Sequence, residues 1–135
     1  MKAKIINNVK ESIIGYNNYN YKNLKEIDNN SCFEIIIENN VLGLINNNDF
    51  ELFIQECCSK IRHGGSIIIE GVDFNKIAIS YIHRYINEKD LSNILAGSFG
   101  FYNCRIVEEE LKKNKLNIIS MRIFETNFIV EGKRE

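Results

Sequence analysis

Lys60-Ile61-Arg62-His63-Gly64-Gly65-Ser66-Ile67-Ile68-Ile69-Glu70 sets two adjacent glycines between a basic segment and a run of isoleucines. Before it, Phe50, Phe53, Ile54, Cys57, Cys58 and Ile61 recur at helical spacing behind Asn46-Asn47-Asn48-Asp49, a stretch of candidate N-caps. The pattern predicts a helix that ends at Gly64, with Lys60, Arg62 and His63 in its last turn. Phosphate-cradling glycines follow a strand and open a helix, whereas these follow a helix and open a strand. Gly64-Gly65 therefore reads as structural and not as an anion site. Further upstream, Cys32-Phe33-Glu34-Ile35-Ile36-Ile37-Glu38 has the continuous apolar middle of a buried strand. Strand, helix and buried strand in that order imply a parallel pair joined by a right-handed crossover.

Outward from this unit, Ala3 to Ile6 is a short β-like segment, and Tyr16 to Tyr21 reads as loop with room for a short strand. Asp73 is a candidate cap for a helix running to Tyr85. The Gly-punctuated stretch Leu91 to Gly100 reads as loop, and Val107 to Lys115 as a helix with Glu108–Lys112 and Glu109–Lys113 pairs on its surface. Leu116 to Phe124 and Asn127 to Val130, joined through Glu125-Thr126, predict a closing antiparallel hairpin. The fold class is α/β: a mostly parallel sheet with a C-terminal antiparallel hairpin.

With 135 residues, 44% of them hydrophobic, the chain is expected to form one domain over residues 1–135. A net charge of -1 provides no field that would gather nucleic acid or an anionic membrane, so neither is an expected partner. No apolar run approaches the roughly 20 residues of a membrane-spanning helix, and no signal-peptide pattern opens the chain. A cytoplasmic protein is expected. The cysteines at 32, 57, 58 and 104 show no metal-ligand spacing, and Cys57-Cys58 falls on the apolar side of its helix as core.

Three motifs, in order, resemble those of class I S-adenosylmethionine-dependent methyltransferases. Phe33 to Ile45 (FEIIIENNVLGLI) is similar to the fourth-strand motif FDxIxxxxVLEHL. KIRHGGSIIIE resembles the RxLKPGGxLxIxxP segment that follows, and Val107 to Ile119 is similar to the LxxLLxxAGF helix and strand near the family's end. The resemblance spans about residues 32 to 132 and implies a Rossmann-like methyltransferase sheet with a reduced N-terminal part.

In that family the first strand is followed by LNLGCG and then GxxNxD, the positions here of Lys4 to Val9 and Gly15 to Asn20. The family's glycines let backbone approach the methionine moiety of the cofactor; this chain has Asn7, Asn8 and Val9 there, all bearing Cβ atoms. The family's ribose-binding acid is Asn20, which hydrogen-bonds without charge. The resemblance thus places any cofactor contacts at Asn7, Asn8, Asn20, Glu38, Asn39 and Asn40. The last three lie at the carboxyl end of the Cys32–Glu38 strand, where open α/β sheets hold ligands. Glu70 and Asp73, after the next strand, are candidates on the same ground.

The substitutions favour a degenerate methyltransferase-like domain, a non-catalytic subunit or assembly partner of itself or of a related methyltransferase-like chain. The alternative is a small active enzyme using S-adenosylmethionine on a small molecule or glycan. If inactive, the domain needs no cofactor. Tyr16, Tyr19, Tyr21, Tyr81, Tyr85, Phe99, Phe101 and Tyr102 are expected either to complete a thin core or to cover a partner surface.

Overall fold

A computed structural model describes residues 1–7 and 15–135. The apolar run at 35–37 becomes the centre of a strand because its neighbours on both sides are equally apolar and parallel to it. β1 (Lys2–Ile6), β2 (Asn17–Asn20), β3 (Cys32–Ile37) and β4 (Ile61–Val72) pair in parallel in the order β2-β1-β3-β4. The hairpin of β5 (Asn117–Phe124) and β6 (Asn127–Lys133) then adds β6 antiparallel to β4, with β5 at the edge. Its turn takes Glu125 at φ 53°, the left-handed conformation a tight link requires.

The described chain has four α-helices, α1 (Phe50–Ser59), α2 (Phe74–Ile82), α3 (Glu88–Ala96) and α4 (Cys104–Lys113), and two single 3-10 turns at Leu24–Glu26 and Leu42–Leu44. α1 carries the crossover from β3 to β4 and packs on β4 and on α4, which in turn lies over β5 and β6. Beneath them Ile35, Ile37, Ile67, Ile69, Phe128 and Val130 are all fully buried, each side chain contributing about 1.5–3 kcal/mol by leaving water. Cys57 and Cys58 belong to the same core, as their spacing predicts. Glu34, Ile36, Ser66, Ile68 and Glu70 alternate with these residues and face the other way, where they stay half-exposed. Only residues 7–16 link β1 to β2, short for a parallel crossover that ordinarily takes about a dozen residues.

The double glycine lies inside β4. α1 stops at Ser59, Lys60 caps it, and Ile61 already pairs with Cys32; pairing then lapses until Ser66 meets Glu34. Arg62, His63, Gly64 and Gly65 therefore bulge opposite Phe33, and the helix predicted to reach Gly64 is shorter by a full turn. Three contacts explain the bulge. Gly64 adopts φ +79° and donates to the carbonyl of Arg134, and Arg134 donates back to Gly65. A Cβ on Gly65 would stand 2.8 Å from the Cys32 carbonyl oxygen and 2.9 Å from that of Phe33, so only glycine lets β4 come this close to β3.

Residues 91–100, expected as loop, mostly belong to α3. Its start is a capping box in which Asn87 accepts from the Asp90 amide and Asp90 accepts from the Asn87 amide. α2 begins at Asp73 as predicted. The Asp73 carboxylate is nearly fully buried and accepts from the Lys76 amide at 3.1 Å and the Cys104 amide at 3.3 Å, serving two helix N-termini at once. α4 starts three residues before the predicted Val107 because Asn103 caps it. On its surface Glu108 pairs with Lys112 as expected, while Glu109 pairs with Arg105 and Lys113 with Glu110.

Candidate functional site

Parallel strands deliver their carboxyl ends to one edge of the sheet, and two distinct clusters stand there. The first lies where β1, β2 and β3 end. Asn20, closing β2, donates from Nδ2 to the Asn7 carbonyl at 3.0 Å and accepts at Oδ1 from the Lys22 amide at 2.9 Å. Glu38, just past β3, holds an ion pair of 3.3 Å with Lys4 of β1, which is only 8% exposed. A charge as sheltered as that of Lys4 needs a counter-ion, and Glu38 supplies it. Asn8 lies outside the described residues.

The second cluster lies beyond β3 and β4, under the α2–α3 hairpin. Asn39 and Asn40 turn the chain after β3, and Leu42–Leu44 forms a single tight helical turn. Together with the end of β4 and the segment after α3, they enclose a cavity of about 220 Å³. Its apolar wall is Leu42, Val72, Phe74, Ile77, Ile94 and Phe101. The remaining lining is Gly43, Gly97 and Gly100 with Asn39, Asn40, Ser98 and Tyr102. No side chain of this lining carries a charge at neutral pH.

Two of the polar groups are spent within the protein. Ser98 donates to the Ile94 carbonyl, and the Tyr102 hydroxyl donates to the carbonyl of Ile45. Burial pushes the Tyr102 phenol up to about 12, with the Asp49 carboxylate adding to the effect, so it stays protonated. Its ring packs against that of Phe50, tilted by 41° with 4.6 Å between centroids. Gly100 permits this geometry: any Cβ there would run into the Ile45 carbonyl and the Tyr102 ring.

The candidate residues thus separate. Asn7, Asn20 and Glu38 gather at the β1–β3 end; Asn39 and Asn40 line the cavity. Glu70 faces away on the half-exposed side of β4, and Asp73 is occupied as a cap. Of the eight aromatics, Tyr102 is core at 3% exposure, and Tyr16, Tyr19, Tyr21 and Phe101 are half-buried, whereas Tyr81 is exposed and Tyr85 and Phe99 stand out at 81% and 69%. The walls from Phe74, Ile94 and Phe101 escaped the sequence reading because they follow from the position of α3. The Asn87-to-Asp90 capping spacing was the signal that marks it. Among the described residues no group of three or more His, Cys, Asp or Glu side chains is placed to hold a metal, and no helix is long and apolar enough to cross a membrane.

No protein-family model and no curated protein sequence matches this chain. Solved structures do. A S-adenosylmethionine-dependent methyltransferase from Archaeoglobus fulgidus superposes with a TM-score of 0.69 at 11% identity, over 98% of this chain and 75% of that one. An O-methyltransferase family protein from Burkholderia thailandensis gives 0.60 at 11% identity over 89% of this chain, which spans only 35% of its length. A chain of the complex between the Haloferax volcanii Trm112 methyltransferase activator and a methyltransferase gives 0.59 at 9% identity, over 87% of this chain and 60% of that one. At these identities the likeness is one of fold: the chain has the Rossmann-like fold of the class I S-adenosylmethionine-dependent methyltransferases.

Proposed function

We propose that this chain is a degenerate methyltransferase-like domain that serves as a non-catalytic subunit or assembly partner. The observation that carries the reading is the internal pairing at the ends of β1, β2 and β3. The ribose diol of S-adenosylmethionine calls for a carboxylate after β2, and the residue there is Asn20, already bonded to Asn7 and Lys22. Glu38, the acid just past β3, is paired with Lys4. These residues do not fit the cofactor.

The partner is a second copy or a related methyltransferase-like chain. Tyr85 and Phe99 offer it exposed aromatic surface, and the half-exposed sheet face beside Ile36 and Ile68 offers apolar area. The match to a chain from the Trm112 activator complex is in keeping with a life in complexes. The cytoplasm is the compartment that four unpaired thiols suit. The competing reading, a small active enzyme using S-adenosylmethionine on a small molecule or glycan, draws support from the cavity beside Asn39 and Asn40.

Calorimetric titration with S-adenosylmethionine and S-adenosylhomocysteine, with light scattering on the same sample, tests the proposal. A folded dimer or larger assembly that takes up neither compound at millimolar concentration is expected. Micromolar binding would overturn it in favour of the enzyme.

A further inference from the structure

β5 ends the sheet, and among the described residues nothing pairs with its outer side. An edge strand presents a row of free N–H and C=O groups, and natural edges are ordinarily blunted by proline, lysine or brevity. β5 is eight residues long, NIISMRIF, and its one charge is Arg122. The hairpin fixes which backbone groups lie free. Phe124 and Asn127 close a two-residue link and turn their groups toward each other, so by alternation those of Met121 and Ile123 point outward. The side chains of the same two residues stand opposite Val130 and Phe128, on the face that carries α1 and α4. Val130 and Phe128 are fully buried, whereas Met121 and Ile123 stay 38% and 45% exposed where the sheet stops.

We propose that β5 pairs antiparallel with β5 of a second copy about a twofold axis at Met121, so that the two sheets run on as one and the two α4 helices pack side by side above the junction. The choice of occupant rests on the proposed subunit role, and β5 adds a surface to those at Tyr85, Phe99 and the Ile36–Ile68 face.

Register, spacing and charge all select a second copy. In a continuous antiparallel ladder opposite residues share a face, so the axis passes through one residue. At Arg122 it would set like charges directly opposite each other, and at Ile123 the ladder would run off the strand into the turn. The register shift between Ile118 and Ser120 bars an axis farther back. Met121 remains, with Arg122 of each copy opposite Ser120 of the other. The spacing then suits the helices. α4 lies over β5 and β6; with strands about 4.8 Å apart, that position is about 5 Å from the axis, so the two α4 helices stand about 10 Å apart, where helices pack.

The charges along α4 match across the same axis. α1 lies on the flank of α4 that carries Glu110, whose carboxylate raises the Cys58 thiol of α1. The opposite flank, toward the edge, carries Glu108 and Lys112 with Arg105 beside them. Leu111 sits over Gly132, where an added Cβ would come 3.3 Å from its Cδ1, and Gly132 pairs with Ile118. The Met121 rung lies about 7 Å farther along β5, which is about four to five residues back along the antiparallel helix. The axis therefore crosses α4 near Val107 and brings Arg105 of each copy beside Glu108 of the other, two complementary pairs.

Sedimentation equilibrium of the full chain, with amide hydrogen exchange read from ¹H–¹⁵N spectra, tests the pairing. A dimer with a Kd at or below about 100 µM is expected. Met121→Lys sets lysine against its own copy at the axis and should weaken the dimer at least about tenfold. The outward amide of Ile123 should exchange at least about tenfold more slowly in the wild-type dimer than in that variant. Arg105→Glu should also weaken the dimer about tenfold, and Arg105→Glu combined with Glu108→Arg should restore it. Arg105 is exposed, so this pair of variants reads the interface even where Met121→Lys fails to fold. A monomer at all concentrations, a dimer that the folded variants leave intact, an Ile123 amide that exchanges equally fast in both proteins, or a double variant no better than Arg105→Glu would each overturn the pairing. S-adenosylhomocysteine titrated into the same sample judges the subunit role separately. Uptake by a chain that dimerises through β5 overturns that role and keeps the interface, whereas a monomer without uptake overturns the interface and leaves a related chain as the partner.

Discussion

Gly65→Ala is the substitution whose cost the structure fixes best. Gly65 is fully enclosed where β4 crosses closest to β3, and an added Cβ would lie 2.8 Å from the Cys32 carbonyl oxygen, 2.9 Å from that of Phe33 and 2.8 Å from Ile61 Cγ2. Two of those atoms are backbone. Separations under 3.0 Å are essentially unknown for real Cβ atoms, so relief requires the two strands to part, which strains the pairing of Ser66 with Glu34 and Ile67 with Ile35 next to it. Overpacking a tight interior ordinarily costs about 1–3 kcal/mol, and contact with backbone that cannot rotate away places this case at about 3 kcal/mol. Gly64→Ala meets no atom within 4 Å and pays only for its left-handed φ, about 1–2 kcal/mol. Urea unfolding followed by circular dichroism separates the two. Equal destabilisation of both variants, or a Gly65→Ala protein within 0.5 kcal/mol of wild type, a margin typical of harmless surface changes, would refute the bulge as the reason for the paired glycines.

Asp73→Ala should cost about 2 kcal/mol in the same assay, because it uncaps Lys76 and Cys104 together, and Asp73→Asn should recover part of the loss. Lys4→Met is expected to destabilise by about 1–2 kcal/mol, since Glu38 keeps a charge without its partner but retains some solvent; an unchanged midpoint would show that the pair contributes nothing. Burial pushes the Cys58 thiol up to about 12 and the Tyr102 phenol up to about 12, from ordinary values of 9.0 and 10.0. Both groups ionise more readily in the unfolded chain, so stability should be level below pH 8 and fall between about pH 9 and 12. Cys58→Ala would flatten the early part of that fall, and an unchanged pH profile in this variant would contradict the assignment.

The strands of the sheet were legible because buried parallel strands announce themselves as unbroken apolar runs: Ile35–Ile37 and Ile67–Ile69 are both central strands. The closing hairpin was equally plain from its short Glu125-Thr126 link. What misled was the double glycine. A glycine after a helical repeat reads the same whether it ends the helix or loosens the strand that follows, and only the carbonyls of Cys32 and Phe33 from β3 decide between the two. α3 was missed for a different reason: its apolar stripe of Leu91, Ile94 and Leu95 is short, and Gly97 and Gly100 directly after it made the stretch read as loop, so its caps carry the signal. Sequence position placed Asn39 and Asn40 just past the carboxyl end of β3, where the structure has them. It could not show that Asn20 and Glu38 would be consumed by Asn7 and Lys4, because those contacts join separate strands.

The central proposal is that Asn20 and Glu38, at the ends of β2 and β3, are engaged by Asn7, Lys22 and Lys4 and do not hold the methionine-derived cofactor. ¹H–¹⁵N correlation spectra of the labelled chain, recorded as S-adenosylhomocysteine is raised to about 1 mM, the weak limit of specific binding, test it most directly. The amides of Asn7, Asn20 and Glu38 are expected to stay where they are. Progressive shifts at those residues, saturating in the micromolar range, would contradict it.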